Sequence, residues 1–272
     1  MPQAGERQVP RRLTSLVANA LLLQLRFLFW SAASSNDLTP LSTNVLSLLN
    51  ITPYPNSAHG LINVGHLYYL YMSLLTLFTT NSINILAGIN GVEVAQSCVI
   101  AASILLHNAL SLPSSTHAFS TVLLGPFLLS SLALLRTNWY PATTFVGDTY
   151  CYFAGSVFAV VAVHGHFSKT LLCFFIPQIF NFLISCPQLF GLLDCPRHRL
   201  PKYLPSKGVM TTSRRADGGM NLTGINCVLA ALGDMREETL TFAVVMVQVA
   251  CCGVGFAVRY GGGRAVFFNE EL

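Results

Sequence analysis

VAQSCVIAASILLHNALSL, residues 94–112, runs nineteen positions without an Asp, Glu, Lys or Arg. A helix needs about 20 mostly apolar residues to cross a bilayer, so this stretch predicts a span. Its surroundings repeat the pattern. Further apolar runs occupy 13–33, 61–80, 118–135, 150–165, 170–191 and 239–259. Residues 38–193 hold four formal charges, Glu93, Arg136, Asp148 and Lys169. Water-facing surface cannot be built from so few charges, whereas lipid-facing surface can. The runs are also too long and continuous for barrel strands that alternate every second residue. The expectation is an all-α fold, a polytopic transmembrane helical bundle of about seven spans. Residues 221–233 are apolar but short, and read as interfacial or re-entrant.

The whole composition agrees. Of 272 residues 53% are apolar and 10% charged, against about 25% charged in soluble domains. This excludes an ordinary soluble enzyme and a disordered chain. The net charge of +4 is not that of a nucleic-acid binder, because the basic residues gather near the N-terminus and between 197 and 215. Membrane proteins collect such residues in cytosolic loops. The eight cysteines show no CxxC spacing and read as apolar packing residues. There is no internal repeat, which argues against a transporter.

With the N-terminus in the cytosol, alternation puts eleven Lys and Arg on the cytosolic side and three, Lys169, Arg259 and Arg264, on the other. That asymmetry selects this orientation. It places the sequon Asn50-Ile51-Thr52 where Asn50 meets the glycosylation machinery, and leaves the sequon at Asn221 in the cytosol.

Three polar features do not suit a membrane. The first is TTNSINILAGINGVE, residues 79–93, with three Asn, two Gly and an acid between two apolar runs. Asn81 and Asn84, spaced i, i+3, share a helix face. The bland reading is a polar interhelical turn; a ligand site is the alternative, because such groups at membrane depth are costly. The second is Asp148 in FVGDTY, residues 145–150, expected to be a buried acid needing either a helix N-cap role or a divalent cation. The third is CPRHRLPK, residues 195–202. Its prolines stiffen a loop in which two Arg flank a His, a fork suited to phosphate; setting topology or touching anionic lipid is the bland reading. Two spans separate each feature from the next, so all three fall on one face of the membrane. Amides, an acid and an Arg fork together point to Mg2+-dependent phosphate chemistry there.

These motifs, with Asn138-Trp139-Tyr140-Pro141 and GHFSKT at 165–170 in the same order, resemble a known family. It is the UDP-N-acetylglucosamine–dolichyl-phosphate N-acetylglucosaminephosphotransferase branch of the polyprenyl-phosphate sugar-1-phosphate transferases. The resemblance covers about residues 61–260. It implies transfer of GlcNAc-1-phosphate from UDP-GlcNAc to dolichyl phosphate, giving GlcNAc-diphosphodolichol and UMP, the first step of lipid-linked oligosaccharide synthesis for N-glycosylation. It also implies a multi-pass protein of the endoplasmic reticulum membrane, a cytosolic active face, sensitivity to tunicamycin and a homodimer. By the resemblance Asn84 and Asp148 are catalytic and hold Mg2+, and Asn90, Arg197, His198 and Arg199 bind UDP-GlcNAc. Leu77, Phe78, Thr79, Thr80, Asn81, Ser82, Ile83, Asn84 and Ile85 line the dolichyl-phosphate site.

Residues 1–45, with one candidate span, and the tail 261–272 fall outside the expected membrane domain of 46–260 and its cytosolic loop 194–238. The family carries an adjacent Asp-Asp pair on a helix nearer its N-terminus, and this chain has none. The family's N-terminal third is therefore expected to be absent. The competing expectation is an inactive copy that folds poorly or associates with a full-length one.

Overall fold

The computed structural model describes residues 52–53, 62–63, 67–111, 115–196 and 199–262. Two short strands, β1 (Thr52–Pro53) and β2 (Ile62–Asn63), pair antiparallel. They precede α1 (Leu67–Ile85), α2 (Val92–Leu110), α3 (Ser115–Asn138), α4 (Gly147–His164), α5 (Ser168–Phe174) and α6 (Ile176–Leu189). A hairpin of β3 (Lys202–Leu204) and β4 (Val209–Thr211), then α7 (Gly224–Leu232), lead into α8 (Glu237–Ala257), which ends in the π-helical turn Val258–Gly262. The fold is thus mostly helical, as expected.

Three described helices are long and apolar enough to cross a membrane: α2, α3 and α8 continued to Gly261. The pair α5 and α6 is a fourth candidate, bent by 70°. The count of about seven spans is therefore met only in part. The candidate span 13–33 lies outside the described residues. Helices α1 and α4 have the length, but Thr79, Thr80, Asn81, Ser82 and Asn84 dilute the first and the Gly147–Tyr150 turn dilutes the second.

The run 170–191, expected as one helix, is broken at Phe175. Pro177 enters the first turn of α6 and has no N–H to continue the ladder of α5. The carbonyl of Phe174 is left free by the break, and Gln248 Nε2 on α8 donates to it at 2.8 Å.

The main core joins α1, α2, α4, α5 and α6 through Leu75, Phe78, Ile83, Ile104, Phe158, Phe175 and Phe182, all buried. Between membrane helices, packing rather than transfer from water is the binding force. The tightest crossing is α1 on α4. A Cβ built on Gly155 would lie 2.4 Å from Thr80 Cα, so only glycine lets these backbones meet. A second apolar cluster of Leu86, Ile89, Val92, Met210, Ile225, Leu229, Leu240 and Val244 ties the α1–α2 loop to the hairpin, α7 and α8.

Candidate functional site

The Asn-rich segment divides at Ile85. Asn81 and Asn84 close α1, and residues 86–91 form a loop before α2. Gly88 (φ 116°) and Gly91 (φ 84°) take the left-handed backbone that makes this turn. A methyl group on Gly88 would overlap the Leu200 side chain, and one on Gly91 would lie 3.1 Å from Trp139 Cε3 and 3.6 Å from the carbonyl of Asn138. The loop therefore sits between the residue after Arg199 and the end of α3.

The same loop is held from below. Gln96 Nε2 donates to the carbonyls of Leu86 (3.0 Å) and Ile83 (3.4 Å) at the frayed end of α1. Glu93 Oε1 accepts the N–H of Gly88 at 3.1 Å. Glu237 Oε1 accepts the N–H of Asn90 at 2.8 Å, and Thr241 Oγ1 donates to the Asn90 carbonyl at 2.9 Å.

Asp148 corrects an expectation. It is exposed rather than buried, and the N-cap of α4 is Val146 with no side-chain cap bond. The capping role is thereby removed. Asp148 lies in the first turn of α4 and makes no hydrogen bond among the described residues. Its carboxylate and that of Glu93 both lie within electrostatic reach of Cys151, which puts the start of α4 beside the start of α2. Register then locates Asn84. Thr80 meets Gly155. Asn84 is four residues further toward this end and Asp148 seven, roughly 6 and 10 Å along the axis at 1.5 Å per residue. The two side chains thus stand about one helical turn apart in height, on adjacent helices.

The nine-residue segment expected at the dolichyl-phosphate site divides by burial. Because it is helical, Phe78, Thr79, Ser82 and Ile83 turn into the core, each at most 1% exposed. Leu77, Thr80, Asn81, Asn84 and Ile85 keep accessible surface. Asn81 spends its amide donors on the Leu77 carbonyl (2.7 Å) and Thr80 Oγ1. Asn84 makes no side-chain hydrogen bond among the described residues.

Arg197 and His198 lie outside the described residues. Arg199 is fixed through its carbonyl, which accepts from Asn226 Nδ2 at 3.0 Å and Ser213 Oγ at 3.3 Å. Its guanidinium Nη1 is buried without a hydrogen-bond partner among the described residues. That burial pushes its pKa below the usual arginine range, with Cys195 acting in the opposite sense. A buried cation with an open N–H favours an anion.

The loop carrying Arg199 is anchored by a polar stripe along α6 that sequence reasoning missed. Gln178, Asn181, Ser185 and Gln188, all buried, recur at helical spacing on one face. Asn181 Oδ1 accepts the N–H of Gly224 (2.7 Å), Ser185 Oγ donates to the Leu222 carbonyl (2.8 Å), and Gln188 Nε2 donates to the Asp194 carbonyl (2.9 Å) and Asn221 Oδ1 (3.0 Å). The spacing was the available signal, hidden within an otherwise apolar run. Glu237 and Thr241, distant in sequence, left no comparable signal.

So Asn84, Asn90, Asp148 and Arg199 lie at one end of the bundle, near a loop of special backbone shape. The sequence over residues 15–166 matches the glycosyl transferase family 4 profile, a stretch that includes the Asn-rich loop and Asp148. The chain belongs to glycosyl transferase family 4. The family match begins inside the N-terminal stretch that the motif resemblance left out. The chain is 50% identical over 216 residues to the UDP-N-acetylglucosamine–dolichyl-phosphate N-acetylglucosaminephosphotransferase of Dictyostelium discoideum, covering 73% of this chain and 52% of that protein. It is 46% identical over 227 residues to the protein of that name from Leishmania amazonensis, covering 75% and 47%. With that of Saccharomyces cerevisiae it shares 43% identity over 251 residues, covering 78% and 56%. The chain spans about half the length of these curated relatives. Membership of this membrane glycosyltransferase family accounts for apolar helices that end in polar, phosphate-compatible loops.

The donor set bears on a metal. Among the described residues no group of three His, Cys, Asp or Glu side chains is placed to hold one. What the site offers is oxygen donors without competing bonds, the Asn84 amide and the Asp148 carboxylate. Those fit Mg2+, which keeps several waters and is usually bound through one or two carboxylates plus substrate phosphates rather than an all-protein cage.

Proposed function

We propose that the protein transfers GlcNAc-1-phosphate from UDP-GlcNAc to dolichyl phosphate, the activity that the names of its relatives describe. The observation that carries this reading is the convergence of Asn84, Asn90, Asp148 and Arg199 on one end of the bundle. The lipid phosphate oxygen forms a bond to the phosphorus bearing the sugar, and the bond to UMP breaks with its electrons. Such transfer depends on positioning and charge neutralisation. Arg199, with Arg197 and His198, binds the diphosphate of UDP-GlcNAc. Asn90 orients the nucleotide sugar. Thr80, Asn81, Asn84 and the exposed Leu77 receive the lipid phosphate and the start of its chain. Asn84 and Asp148 hold Mg2+, which supplies positive charge against the diphosphate.

The finer setting follows the same reading: about seven spans, the endoplasmic reticulum membrane, an active face toward the cytosol, tunicamycin sensitivity and a homodimer. The inactive-copy alternative gains nothing from the described residues, because the four site residues stand at one end on helices and loops tied into the packed bundle. The test uses membranes containing residues 1–272 from a conditional strain depleted of its own transferase, supplied with UDP-GlcNAc, dolichyl phosphate and Mg2+. The expected result is tunicamycin-sensitive GlcNAc-diphosphodolichol that EDTA abolishes. Product no greater than in the depleted strain overturns the reading.

A further inference from the structure

The first two turns of α8 hold Asn90 by its backbone at two points. Glu237 Oε1 takes its N–H at 2.8 Å and Thr241 Oγ1 gives to its carbonyl at 2.9 Å. Glu237 and Thr241 are spaced i, i+4 and so face the same way. Thr241 is fully buried, and its neighbour Leu240 packs in the cluster that also holds Ile89. The grip is therefore made by a helix wedged against the loop. The other loop bonds are local: Gly88 N–H to Glu93, Val92 N–H to the Ile89 carbonyl, and Ala95 N–H to the Gly91 carbonyl. None of these touches the peptide groups of Asn90, which stands between Gly88 and Gly91, the two positions of greatest backbone freedom. A first-turn acid is ordinarily explained by the helix dipole, but Glu238 beside it supplies that charge while staying exposed and making no such bond.

We propose that Glu237 and Thr241 are positioning residues for the nucleotide-sugar substrate: they clamp the Asn90 backbone and thereby set where its carboxamide stands. This rests on the proposed function, in which Asn90 meets UDP-GlcNAc. The acceptor lipid approaches from α1, so the clamp bears on one substrate only.

The experiment uses the full chain purified in nanodiscs. Hydrogen–deuterium exchange over residues 86–93 reads the clamp directly. Glu237→Ala speeds exchange at the Asn90 amide about tenfold or more, while Glu237→Gln, which keeps an acceptor oxygen, and Glu238→Ala stay near wild type. Kinetics read its purpose. Glu237→Ala raises KM for UDP-GlcNAc about tenfold and leaves KM for dolichyl phosphate unchanged. Thr241→Val does the same to a smaller degree, and Thr241→Ser restores it. Equal exchange in wild type and Glu237→Ala overturns the clamp. A fall in melting temperature and kcat with both KM values unchanged shows a brace without a positioning role, and overturns the proposal. Wild-type nanodiscs with no transfer at all refute the proposed function instead, while the exchange measurement still decides whether the clamp exists.

Discussion

Among the described residues no acceptor reaches the buried Nη1 of Arg199, and a buried charge so placed costs stability. Replacing a buried, incompletely paired charge by an apolar side chain of similar length is often neutral or stabilising. Arg199→Met is therefore expected to leave the melting temperature of the detergent-solubilised protein unchanged or higher. Its affinity for UDP-GlcNAc, measured by calorimetry, falls at least about tenfold, since a charge-assisted bond to phosphate is lost. A marked drop in melting temperature would show that the guanidinium braces the fold instead. Asp148 presents the opposite case. It is exposed, bonded to nothing described and not a cap, so nothing in the fold depends on its charge. Asp148→Asn is expected to retain membrane insertion and thermal stability while transfer falls about a hundredfold or more, the scale of losing one preorganised charge at a phosphoryl centre. Near-normal transfer at saturating Mg2+ would remove Asp148 from the metal site.

At the scale of elements, the bundle is braced by a buried chain of three glutamines. Gln178 on α6 donates to Gln96 Oε1 on α2 (2.8 Å) and Gln248 Oε1 on α8 (2.7 Å). Gln96 in turn holds the end of α1, and Gln248 holds the Phe174 carbonyl at the helix break. Gln178→Leu leaves two buried acceptors unpaired, at about 1–3 kcal/mol each. We expect a loss of roughly 2–6 kcal/mol, read by thermal unfolding, and a coupling energy when it is combined with Gln96→Leu. Strict additivity would show that the chain is not a unit. The pattern of apolar runs disclosed the helices because the period of burial is written in residue type. It did not disclose this brace, or the break at Phe175, because Gln178 inside 170–191 reads as one polar residue in a span until its partners are known. The same limit applies to Asp148, whose exposure depends on the loop from Trp139 to Val146. Asn84 and Asn90 stood out in the sequence because amides have few reasons to lie at membrane depth, and Arg199 because it belongs to an Arg fork in a proline-stiffened loop. The burial of Phe78 and Ile83 beside them was legible only once the segment was known to be helical.

At the scale of the whole molecule, charge and chain direction bear on the proposed orientation. The ends of α1 and α3 and the starts of α2, α4 and α8 share the site end. Arg136 stands at the close of α3, Arg236 directly before α8, and Arg199, Lys202, Lys207, Arg214 and Arg215 on the loop and hairpin packed there. At the opposite end of the bundle lie Lys169, at the start of α5, and Arg259 after α8. Basic residues mark the cytosolic side of membrane proteins, and this distribution supports the proposed cytosolic site end. In the proposed seven-span arrangement α1 is a span that ends there, and its first residue, Leu67, stands at the far face. Asn50 lies 17 residues before Leu67, short for a further span, so the same proposal puts Asn50 on the far face. Asn221 is on the site end, 1% exposed, with Nδ2 donating to Ser213 Oγ at 2.9 Å and Oδ1 accepting from Gln188. Its nitrogen is already engaged and enclosed, which blocks an oligosaccharide independently of topology. Expression in a glycosylating eukaryotic host should give a single endoglycosidase-sensitive shift, lost in Asn50→Gln and unchanged in Asn221→Gln. A shift that disappears with Asn221→Gln and survives Asn50→Gln would invert the molecule in the membrane, and would move the site to the lumenal face, away from a cytosolic nucleotide sugar.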